Sequence, residues 1–126
     1  MNYRYSRDYF PPAPIIDITL ISTAESLRSG PLPALVDSGA DGTIVPIGYL
    51  DEIHAPPTRE MVIRSQWADR HPVILYLVDV QIGDLTLPGI EVVGDEISDE
   101  LVLGRDILNR LRVLLDGPKE TVDVSE

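Results

Sequence analysis

One carboxylate closes an apolar run and opens a turn of small residues: Leu35-Val36-Asp37-Ser38-Gly39-Ala40-Asp41-Gly42-Thr43-Ile44-Val45. Asp and Ser hydrogen-bond nearby backbone in turns, and Gly lets other chain come close. A carboxylate at the tip of a buried strand is expensive unless it has a partner or a task. The task that suits it is proton transfer, in which an ionised carboxyl accepts and a protonated one donates. Chemistry that needs both forms at once needs two carboxyls. The chain has no second Asp-Ser-Gly and no Asp-Thr-Gly, so if that chemistry takes its second carboxyl from a matching turn, the turn must come from another copy of the chain.

Other chemistries fail on spacing. A phosphatase-like Asp-x-Asp-Gly-Thr needs carboxylates two apart, whereas Asp37 and Asp41 are four apart. A calcium loop starting at Asp37 would place Asp or Asn third and Glu twelfth, where Gly39 and Gly48 stand. The only histidines are His54 and His71, and no Gly-x-Ser-x-Gly is present to carry a Ser-His-Asp site. Without Cys there are neither disulfides nor Cys-based metal sites. Neither a metal nor a cofactor is expected.

The elements that position Asp37 read as short strands. Ile15 to Ser22 alternates, with Ile16, Ile18 and Leu20 on one face and Asp17 and Thr19 on the other. A polar stretch ends in a turn at Gly30-Pro31, and Leu32 to Val36 is the strand that delivers Asp37. Ile44-Val45 is another short run, and Pro46 to Ile53 suits about one helical turn. Arg59 to Gln66 and Pro72 to Ile82 are strands. Gly83-Asp84 is a turn, followed by separate strands at Leu85 to Leu87 and Ile90 to Val93. Leu101-Val102-Leu103 closes on Gly104, echoing the apolar run before Asp37. Arg105 to Arg112 has helical spacing, and Val113 to Val124 reads as a hairpin turning at Asp116-Gly117. Residues 1–14, rich in Tyr and Pro, form an extended arm free to pack on a neighbouring subunit, and 15–126 form the domain.

The pattern is all-β, a small closed barrel or sandwich with one short helix near its C-terminus. At 126 residues the chain suits one domain, and 11 Pro and 9 Gly suit many turns. A net charge of −11 argues against a nucleic-acid partner; it suits a solvated acidic surface, and read as a functional signal it suits neutral or basic peptides. No run approaches the length of a membrane span, and Met1 to Tyr9 lacks the apolar core of a signal peptide. No membrane partner is expected, and a cytoplasmic location is.

Two segments in this order carry a family resemblance. Ala34 to Val45 resembles the active-site segment of retroviral-type aspartic proteases, the retropepsins. Leu101-Val102-Leu103-Gly104-Arg105-Asp106-Ile107-Leu108 resembles their second signature. The resemblance implies a retropepsin-like acid protease fold, one lobe per chain in a twofold homodimer, cleaving peptide or protein substrates. It implies Asp37 as the catalytic residue, with Ser38, Gly39 and Thr43 supporting the loop. Gly39, Ala40 and Asp41 would bind substrate backbone, and Arg105 would pair with Asp41. A covering hairpin, the flap, falls between Arg59 and Leu77, with Trp67 near its tip as a further substrate contact. In this chain no Gly lies between Gly48 and Gly83, unlike the glycine-rich flap of the family. Two other readings stay open: a catalytically silent module of the same fold that binds peptides or dimerises, and a plain β domain with Asp37 as a turn residue.

Overall fold

The computed structural model describes residues 1–64 and 69–126. Strand β2 (Ile15–Ile21) pairs antiparallel with β3 (Arg28–Val36). After a loop come β4 (Ile44–Pro46), helix α1 (Ile47–Glu52) and the hairpin β5 (Pro57–Arg64) and β6 (Arg70–Ile82). Then follow β7 (Leu85–Asp95), β8 (Val102–Leu103), α2 (Arg105–Leu108) and the terminal hairpin of β9 (Arg112–Asp116) and β10 (Thr121–Ser125). The main sheet runs β2-β3-β8-β4-β7-β6-β5, and a further β2–β6 pairing closes six of these strands into a barrel, with β5 left as the outer arm of the β5–β6 hairpin.

The alternation expected for β2 is met: Ile16, Ile18 and Leu20 are buried. Burying an aliphatic side chain of this size contributes roughly 1.5–3 kcal/mol. Val78, Val80 and Ile82 of β6 meet them from across the barrel wall, and Leu50 and Ile53 cap one end from α1 and its C-terminus.

Three local expectations are corrected. Gly30-Pro31 lies inside β3 rather than in a turn. The pairing steps from Ile18↔Leu32 to Leu20↔Ser29, so two residues of β3 face one of β2. Such a bulge needs unusual backbone, and Gly30 supplies it at φ +141°, with no room for a Cβ beside the Ile18 carbonyl oxygen at 2.8 Å. Leu85 to Asp95 is one strand rather than two. Its register shifts opposite Asp79, whose Oδ1 accepts from the Gly89 amide at 2.9 Å and carries the strand through the irregularity. Helix α2 stops at Leu108, well short of Arg112, while α1 lies within the Pro46 to Ile53 stretch expected to form about one helical turn.

The N-terminal arm lies on its own chain. Strand β1 (Asn2–Arg4) pairs with β10, giving a three-stranded sheet β1-β10-β9. Tyr3 and Tyr5 pack on the core, and Val122 and Val124 join this sheet to it. Ser6 and Ala13 bridge to close a loop, and the Pro14 carbonyl accepts from the Val36 amide at 3.0 Å, directly before Asp37. Among the described residues no helix is long and apolar enough to cross a membrane.

The loop of the arm is tied down by Tyr9, whose hydroxyl donates to Glu100 Oε2 at 2.6 Å. That bond, with burial and the nearby charges of Glu100, Asp99 and Asp8, pushes the Tyr9 phenol from 10.0 up to about 12. Because the folded value is the higher one, the stabilisation is complete below pH 10 and is lost as the pH rises toward 12. Glu100→Gln should bring one tyrosine of an ultraviolet titration back toward 10, and an unchanged profile would refute the anchor.

Candidate active site

Strand β8 sits between β3 and β4, pairing parallel with β3 (Leu35↔Val102, Val36↔Leu103) and antiparallel with β4 (Ile44↔Val102). The two apolar runs that echo each other in sequence are therefore neighbours. The chain from β3 to β4, residues 37–43, has to cross over the C-terminal end of β8. Gly104 leaves β8 at that crossing. A Cβ there would meet the Gly42 carbonyl carbon and oxygen at 2.5 Å and the Ala40 oxygen at 3.0 Å.

The crossing loop is held from inside and from below. Asp37 donates its amide to the Leu103 carbonyl at 3.1 Å. Its Oδ1 accepts from the Gly39 amide at 2.9 Å, and its carbonyl accepts from the Ala40 amide at 3.2 Å. Those bonds fold the Asp-Ser-Gly turn, and they leave the half-buried Asp37 with its other carboxyl oxygen outside the turn bonds. Ser38 and Gly39 are exposed.

Arg105 grips the loop at three points. Its amide donates to the Ala40 carbonyl at 2.9 Å, Nη1 donates to the Ser38 carbonyl at 2.8 Å, and Nη2 donates to Asp41 Oδ1. Asp41 is 92% exposed and Arg105 44%, so their ion pair orients the loop more than it stabilises the fold.

Thr43 holds the far end and is fully buried. Its hydroxyl donates to Asp106 Oδ1 at 2.8 Å and accepts from the Gly104 amide at 3.2 Å, while its own amide donates to Asp106 Oδ2 at 3.2 Å. Asp106 also accepts from the Ile107 amide at 2.9 Å, at the start of α2. The sequence reading named Thr43 but missed the role of Asp106. The signal was there in the Asp of Gly104-Arg105-Asp106, but its partner lies 63 residues away.

Beside the β4 end of the loop is a cavity of about 510 Å³, between the β5–β6 hairpin and the ends of β4 and β7. Ile44, Ile63, Val73, Ile74, Tyr76 and Val93 line it. Asp37 does not line it, and the loop reaches it through Ile44. Trp67 lies outside the described residues. Among the described residues no three His, Cys, Asp or Glu side chains are grouped to hold a metal ion.

Removing the Thr43 hydroxyl strips a half-buried carboxylate of a donor, which costs on the order of 1–3 kcal/mol. Thr43→Val should therefore lower urea-unfolding stability by that amount, whereas Asp41→Asn should cost about 1 kcal/mol or less. Equal losses would place the anchor on the ion pair instead. Gly104→Ala should also destabilise, because the added methyl displaces backbone.

No family model and no curated protein sequence matches the chain. Solved structures do. EIAV protease, in complex with the inhibitor HBY-793, superposes with a TM-score of 0.59 over 86% of this chain and 93% of its own, at 16% identity. A retropepsin-like aspartic protease from Rickettsia conorii gives a TM-score of 0.60 over 100% of this chain and 92% of its own, also at 16% identity. With two such structures superposing over most of its length, the chain has the fold of the retropepsin-like aspartic proteases.

Proposed function

We propose that the protein is an aspartic endopeptidase that works as a homodimer, with one Asp37 from each copy at the twofold axis. The observation that carries this reading is the Asp37 loop itself. Its turn is closed by the Gly39 amide, and Arg105 holds it through Ser38 and Asp41. Two carboxyls brought close share one proton, because like charges at short range cannot both ionise. The ionised one takes a proton from water, whose oxygen attacks the peptide carbonyl carbon. The protonated one gives its proton to the carbonyl oxygen, forming a gem-diol; the proton taken from water then passes to the amide nitrogen, the carbon–nitrogen bond breaks, and a diol hydroxyl returns one proton to the pair as the acid and amine products leave. No covalent intermediate forms. Ser38 supports the paired loops, and the backbone of Gly39, Ala40 and Asp41 receives the substrate chain.

The terminal sheet supplies a surface for the dimer. Among the described residues strand β9 pairs only with β10, which leaves its other edge open, and Leu114 and Leu115 are 62% and 49% exposed along it. An open apolar edge is a template for another strand. A twofold places β9 antiparallel to its own copy.

Asp37→Asn should lower peptide hydrolysis about 10²–10⁴-fold, the range of a positioned acid–base group. Activity should peak on the acid side of neutrality, where the pair holds one proton. Rates equal to those of the parent protein would end the protease reading. Peptide binding with no turnover by the parent protein would instead favour the silent module. Leu114→Lys should weaken self-association at least about tenfold, read by analytical ultracentrifugation, because two like charges then face each other across the β9 edge. An unchanged dimer would move the interface elsewhere.

A further inference from the structure

The cavity beside the Asp37 loop is lined by apolar side chains and by three carboxylates, of which Glu60 and Glu96 are exposed. Ile44, Ile63, Val73 and Val93 line the interior, and Glu60, Asp95 and Glu96 also line it. Its volume, about 510 Å³, is in the range of sites that enclose a small ligand or a large side chain with its neighbours. Ile97 at its mouth is 98% exposed and Ile74 39%. Apolar surface left open beside a cavity is surface for a ligand to cover.

The rim is fixed in place. Asp95 Oδ1 accepts from the amides of Ile97 at 2.9 Å and Ser98 at 3.3 Å, which holds the 95–98 turn against the cavity. Glu60 comes from the opposite side, on β5. The cations nearby are differently disposed. Arg59 is engaged with Glu91 at 3.2 Å. Arg64 and Arg70 face each other further out along the hairpin. His71 lines the cavity. The cavity wall itself thus carries three carboxylates against one histidine.

We infer that this cavity takes a bulky aliphatic or aromatic side chain of a peptide that carries Lys or Arg beside it, and that it discriminates against Asp or Glu at that neighbouring position. The inference rests on reading the cleft as a peptide-binding site and adds to it the class of peptide. The apolar interior supplies affinity by burial. The carboxylate rim supplies selection, drawing a cation and repelling an anion.

The test uses the full chain carrying Asp37→Asn, so that binding is read without cleavage. Three fluorescent decapeptides differ only in the residue after a central Leu, which is Lys, Gln or Glu. At pH 7 and low salt the Lys peptide should bind about tenfold more tightly than the Glu peptide, the summed effect of a few partly exposed charges. Glu60→Gln with Glu96→Gln should bring the Lys-to-Glu ratio close to one, and Glu96→Lys alone should push the same ratio down. Equal affinities, a preference for Glu, or a ratio that the variants leave unchanged would overturn the inference, as would the absence of binding by all three peptides. The two readings fail separately. Cleavage by the parent protein with no charge preference would sink this inference alone. Charge-selective binding with no cleavage would sink the protease reading alone.

Discussion

The chain between β3 and β4 must pass over the end of β8, and there is no spare space in that crossing. Gly104 lies so close to Gly42 and Ala40 that a single methyl group would not fit. Because β8 is hydrogen-bonded on both sides, the crossing is pinned to the barrel wall. The position of the Asp37 carboxyl follows from this steric fact before any ion pair is considered. The conspicuous charge contact, Arg105 to Asp41, lies largely in solvent, and such pairs contribute about 0–1 kcal/mol. The less visible contact, Thr43 to Asp106, is shielded and has more to lose. Rigidity here comes from packing and from a shielded hydroxyl, while the guanidinium sets direction.

How much of this was legible in the sequence depended on the range of the interaction. The strand alternation of Ile16, Ile18 and Leu20 was readable, because it is a local pattern imposed by one barrel face. The pairing of Asp41 with Arg105 was readable only through the resemblance of two segments, since nothing in the spacing of residues 64 apart announces contact. Asp106 was passed over for the same reason. Gly30-Pro31 misled, because Gly and Pro signal a turn locally, and only the partner strand shows that the extra residue is absorbed as a bulge. The separate strands expected at Leu85 to Leu87 and Ile90 to Val93 are joined because Asp79 accepts from the Gly89 amide and β7 continues. The helical spacing after Gly104 was real for one turn only, and the chain then leaves to form β9.

The terminal sheet shows how a chain of this size finishes its own core. Val122 and Val124 are buried beneath a sheet whose third strand comes from the N-terminal arm. Tyr3, which the sequence reading left on an extended arm, packs instead on that core. With β10 in the middle, β1 and β9 form the two edges of this sheet, and the exposed Leu114 and Leu115 lie on the β9 edge.

Strand β6 belongs to two structures at once. From Leu75 onward it is a wall of the barrel, paired with β7 and then β2, and before Leu75 its partner among the described residues is β5. The hairpin is therefore a lever continuous with a stave, and its fulcrum is the step from buried Leu75 to exposed Ile74. The ring of Tyr76 lies at that fulcrum, against Gly94, at the start of the acidic rim. Through that one ring the base of the hairpin and the lip of the cavity share a packing contact, so a change in the side chain at 76 is felt on both sides of the cleft.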